Sequence, residues 1–146
     1  MGYVTPETER QQIKDCVLKS IAPSEKRVKC GRALYRVGGV VVHVRYRAPG
    51  SRHYGFNINP NTLRAEYALW ICGSPGHWYL IPIEVVRRMY EHPRAYPDKH
   101  HTEIRVVTVE TGIHRVGYAA PSVHLDFSSY FRATLDSSQP TAGVGA

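Results

Sequence analysis

Forty consecutive residues, Lys26 to Ala65, hold nine cations (Lys26, Arg27, Lys29, Arg32, Arg36, Arg45, Arg47, Arg52 and Arg64) and no aspartate or glutamate. The stretch carries +9 and the rest of the chain −2, which together give the net +7. Charges so one-sided repel one another and cannot be folded inward. The segment must spread its arginines over an outer surface, where a polyanion can lie against them.

The same stretch reads as β-structure. Val37-Gly38-Gly39-Val40 is a two-residue hairpin turn between two strands. In the second strand the period of two puts Val40, Val42, Val44 and Tyr46 on one face and Val41, His43, Arg45 and Arg47 on the other. Tyr54-Gly55-Phe56-Asn57-Ile58 follows as a short strand with Tyr54, Phe56 and Ile58 inward, and Asn59-Pro60-Asn61-Thr62 breaks it.

Around this block lie other elements. Thr5-Pro6-Glu7 starts a helix, with Thr5 as cap and acids in the first turn, and Ile13, Val17, Leu18 and Ile21 form its apolar stripe. Tyr67–Cys72 and Trp78–Ile81 make a second hairpin, and Pro82 opens a helix to about Tyr90. Ile104–Val109 and Ile113–Tyr118 form a last β pair, and Val106–Leu135, which overlaps that pair, offers no chemical pattern and serves as core and cover. The expected organisation is one α/β (α+β) domain over 1–135 and a disordered tail over 136–146, rich in Ser, Gly, Thr and Ala.

The composition narrows the function classes. No run approaches the roughly 20 apolar residues of a bilayer span, and the polar start lacks a signal-peptide core, so a cytoplasmic, non-membrane protein is expected. Cys16, Cys30 and Cys72 are too few and too scattered for a zinc site or disulfide framework, and read as reduced core or half-buried thiols. Cys72 and His77 are separated by a turn, Gly73-Ser74-Pro75-Gly76, and are not read as a thiol and base pair. His100 and His101 are too few for a metal.

The phrase Glu66-Tyr67-Ala68-Leu69-Trp70-Ile71-Cys72, a turn, and Trp78-Tyr79-Leu80-Ile81-Pro82-Ile83-Glu84-Val85-Val86, preceded by Val42-His43-Val44-Arg45 and Tyr54-Gly55-Phe56-Asn57-Ile58, resembles the small PD-(D/E)XK endonuclease domains of group I intron and restriction-like enzymes over about residues 6–90. The resemblance implies a restriction-endonuclease-like mixed β-sheet flanked by helices, and DNA ahead of RNA as partner. It also implies a departure: His43 falls at the family's acid, Arg45 at its lysine, and the preceding metal-binding aspartate is missing. Two carboxylates are needed to hold Mg²⁺ against a phosphate, and residues 26–65 supply none.

Three functions follow as expectations. The leading one is nucleic-acid binding by a catalytically degenerate nuclease-like domain, without cofactor, through Arg32, Arg36, His43, Arg45, Arg47, Arg52 and His53, with Tyr46, Tyr54 and Trp78 nearby to stack or pack. The second is an active Mg²⁺-dependent endonuclease with acids relocated from Glu7, Glu9 or Glu66. The third is a basic module that docks an acidic protein. On composition alone the arginines could instead be a solvated face balanced by Glu84, Glu91, Glu103 and Glu110.

Overall fold

A computed structural model describes residues 6–50 and 52–135. The expected cap Thr5 and the expected tail lie outside the described residues. Helix α1 spans Glu7–Ile21, one residue later than expected, with Pro6 immediately before it. Glu7 and Glu9 in its first turn and Lys19 in its last complement the helix dipole. Val17, Leu18 and Ile21 are buried, as their spacing requires.

Two sheets follow. The first holds β1 (Arg27–Gly31), β2 (Leu34–Val37), β3 (Val40–Arg47), β5 (Tyr67–Cys72) and β6 (Trp78–Pro82), in that order. All neighbours are antiparallel except β3 and β5, which run parallel, so the sheet is mixed. The glycine pair works as expected: Val37 pairs with Val40, and Gly38 and Gly39 take positive φ values of 56° and 84°, as this tight turn demands.

The second sheet holds β4 (His53–Ile58), β7 (Arg105–Glu110), β8 (Arg115–Ala119) and β9 (Val123–Asp126). The expected α/β (α+β) class holds, and the expected one mixed sheet flanked by helices is corrected to two sheets. β4 leaves the first sheet and pairs with β7, and β9 adds a strand in a segment read only as cover. Helix α2 spans Ile83–Glu91, directly after Pro82.

Alternation on the central strands produces two cores. On one face of the first sheet Val42, Val44, Leu69, Ile71, Trp78 and Leu80 meet Val17, Leu18 and Ile21 of α1. On the other, Ala68, Trp70, Cys72, Tyr79 and Ile81 meet Phe56, Ile58, Val107, Val109 and Val116 of the second sheet and Ile83, Val85, Val86 and Met89 of α2. Phe56 stacks on Trp70 with centroids 4.8 Å apart. Among the described residues no helix is long and apolar enough to cross a membrane.

Candidate nucleic-acid interface

β3 organises the basic surface. Its pairing with β2 covers Val40 to His43, and a bond from the Val44 N–H to the Ala33 carbonyl (2.8 Å) ends the contact, so Arg45 and Arg47 project beyond the hairpin. Toward β5 the parallel register sets Arg45 beside Trp70 and Arg47 beside Cys72. Side chains in register share a face. Both arginines therefore stand at the border of the second core, Arg45 half-buried and Arg47 exposed.

That position is costly for a cation. Burial, reinforced by the neighbouring Arg47, lowers the Arg45 pKa. Among the described residues the Arg45 side chain makes no hydrogen bond and no ion pair. Lys14 of α1 is half-buried too, and its pKa is lowered first by burial and then by Arg10, Lys29 and Arg45, with only Glu7 acting the other way. Lys14 thus has Arg10, Lys29 and Arg45 as like-charged neighbours, and Arg45 has Arg47, so repulsion links five cations from three elements.

Sequence reasoning found Arg45 and Arg47 and missed Arg10, Lys14 and Lys29 as site residues. The first two are an i, i+4 pair on α1, flanking the apolar stripe at Ile13 and Val17, and lie outside the acid-free segment. A helical wheel was the available signal.

Other expected residues separate from this cluster. Arg32 is exposed in the turn after β1, and Arg36 is exposed on β2 opposite Val41, at the far end of the hairpin from Arg45. His53 begins β4 of the second sheet, with Arg52 just before it, and the His53 Nε2 lies 3.3 Å from Glu110 Oε2. His43 is 7% exposed, and burial, with Arg45 and Lys14 adding to it, brings its pKa down to about 4. It is neutral at pH 7 and offers a phosphate no charge, which corrects its place among the binding cations.

The acids expected to balance the arginines lie elsewhere. Glu110 accepts from Arg115 Nε at 2.9 Å and lies 2.8 Å from its Nη2, and this bond holds the carboxyl below its ordinary pKa. Glu103 lies 4.0 Å from His101.

The relocated metal ligands do not converge. Glu66 Oε1 accepts the Val41 N–H at 2.8 Å and so caps the start of β3. Arg45 lies four residues further along, about 13 Å at strand rise, and Glu7 and Glu9 belong to the first turn of α1, where Glu7 acts on Lys14. Among the described residues no three His, Cys, Asp or Glu side chains are placed to hold a metal ion.

No family model, curated protein or solved structure matches the chain.

The remaining candidates pack. Trp78 is buried in the first core and its Nε1–H donates to the Ala133 carbonyl (3.2 Å), while Tyr46 and Tyr54 are half-buried. Cys72 is buried, with its thiol pushed up to about 12, and the His77 ring bonds Ser74 Oγ at 2.9 Å rather than the thiol. Cys16 and Cys30 are exposed, not half-buried as expected.

Proposed function

We propose that this protein binds nucleic acid as a nuclease-like domain that does not cut, with DNA favoured over RNA on the sequence resemblance alone. One observation carries the reading. Arg45 is held half out of water, without any hydrogen-bond or ion-pair partner among the described residues, with Arg47 and Lys14 as like-charged neighbours. A folded chain has no internal reason to gather such charges, and a phosphate backbone lowers their mutual repulsion on binding. Arginine's planar fork also suits phosphate oxygens in pairs.

The test is titration of a labelled duplex at two salt concentrations with Mg²⁺ present, the DNA being recovered on a gel. The wild type should bind with a steep salt slope and leave the DNA intact. Arg45→Ala with Arg47→Ala should weaken binding and reduce the slope by about 1 for each phosphate that the variant no longer neutralises. An unchanged slope refutes the assignment. Cut DNA would move the reading to an endonuclease and to Glu7, Glu9 and Glu66.

A second reading has its own observation. β1 is the edge strand of the first sheet, and its Val28 is 58% exposed between Arg27 and Lys29. Such an edge could add an acidic, extended segment of a partner protein. DNA affinity that is blind to sequence and vanishes near physiological salt would favour this reading.

A further inference from the structure

The basic cluster ends at a cavity. Where β3 stops, the Gly73 N–H donates to the Arg47 carbonyl at 2.9 Å, and Arg47 sits in register beside Cys72. Cys72 and Gly73 line a cavity of about 210 Å³ together with Tyr54, Ser74, His77 and Thr111. On its other side the Thr111 N–H donates to the Arg52 carbonyl at 2.9 Å. The backbone carbonyls of two arginines of the acid-free segment are thus bonded to residues of this lining, which includes neither arginine's side chain.

The lining suits a ring rather than a phosphate. Among the described residues it holds no Lys, Arg, Asp or Glu. Tyr54 contributes an aromatic ring and a hydroxyl, and Cys72 a thiol held neutral by burial. Ser74 Oγ and His77 Nδ1 share a hydrogen bond of 2.9 Å, and the Thr111 hydroxyl donates to the Arg52 carbonyl at 3.3 Å and keeps its acceptor capacity. The volume is below the roughly 300 Å³ at which sites for drug-sized ligands begin, a scale that fits one planar heterocycle.

A neighbouring cavity of about 190 Å³ lies against Arg52, His53, Glu110 and Arg115. There Glu110 lies against Arg115 and His53, and Arg52 makes no ion pair among the described residues.

We infer that the cavity takes an unpaired nucleobase, with the flanking phosphates on Arg47 and Arg52, so that the protein selects single-stranded or bulged nucleic acid over intact duplex. This rests on the nucleic-acid reading above and names its substrate class. A base stacked in a duplex cannot enter the recess without being pulled out of its helix, and a base already unpaired avoids that cost. Aromatic stacking is indifferent to base identity, so the selection is for structure and not for sequence.

The experiment is competition among a short single strand, its duplex, and the same duplex with one bulged base, all at one salt concentration. The single strand and the bulge should bind about tenfold more tightly than the duplex, the scale of one base on an aromatic ring. Tyr54→Leu, which keeps an apolar side chain against the core, should erase that preference and leave duplex affinity unchanged. Ser74→Leu, in the turn after β5, fills the recess without altering the core and should do the same. Arg45→Ala should weaken all three ligands alike.

Equal wild-type affinity for the three ligands overturns the inference while the salt slope still upholds nucleic-acid binding. So does a preference that survives both leucine variants. Absence of binding to any ligand overturns the inference and the reading together.

Discussion

His43 shows how one side chain's role depends on what covers it. Alternation along β3 set it correctly on the face shared with Arg45, but a face rich in cations reads as solvated, and whether it is covered depends on how distant parts of the chain pack. With an ordinary pKa of 6.5 and a folded value of about 4, the folded state binds fewer protons than the unfolded one. Stability tied to His43 is therefore intact above about pH 6.5 and declines as pH falls toward 4, reaching a loss of roughly 3 kcal/mol below that. His43→Leu should flatten the acid limb by that order, read from urea midpoints of both proteins at pH 7 and pH 4.5. A variant whose midpoint falls as steeply as the wild type's between those pH values would show that His43 does not carry the dependence.

At the scale of elements, the join between β3 and β5 is the place where sequence and structure part. The hairpins were legible because their signals are local: Gly38-Gly39 can only turn, and Tyr67–Cys72 and Trp78–Pro82 alternate around a short loop. The destination of β4 was not, because Phe56 and Ile58 bury equally well against either sheet, and only pairing with Val107 and Arg105 decides it. β9 has four residues and a register shift against β8, too short for its period to stand out. Glu66 belongs here as well, since its carboxylate completes the hydrogen bonding of Val41 where β3 begins. Glu66→Ala should cost about 1 kcal/mol in chemical denaturation, whereas Glu66→Gln, which keeps an acceptor oxygen, should cost less. Equal stability of wild type and alanine variant would remove the capping role.

Across the whole molecule the two cores are tied by one hairpin. β5 and β6 send Leu69, Ile71, Trp78 and Leu80 to the α1 side and Ala68, Trp70, Tyr79 and Ile81 to the other, so neither core can melt and leave its neighbour a complete wall. Each core also holds one of the chain's two tryptophans. In Trp70→Phe and in Trp78→Phe, fluorescence from the remaining tryptophan should lose its folded signal at the same denaturant midpoint as far-UV circular dichroism. Separate midpoints in either variant would mean that the cores unfold independently. The charge pattern was legible at this scale because nine cations without an acid among them have to be spread over a surface. The half-buried cluster within it was not, since Arg10 and Lys14 reach it only through the packing of α1.

The pairing of β4 with β7 also bears on how a ribosome must deliver this chain. His53 meets Glu110 and Ile58 meets Arg105, so the earlier strand leaves the exit tunnel well before its partner has been made. At roughly 5–20 residues per second, Phe56 and Ile58 wait seconds for the strand that will cover their backbone. During that interval α1 and the β1–β2–β3 hairpins, whose contacts lie close in sequence, can already close. The nascent protein thus carries its arginines folded and outward while its second sheet is still half synthesised.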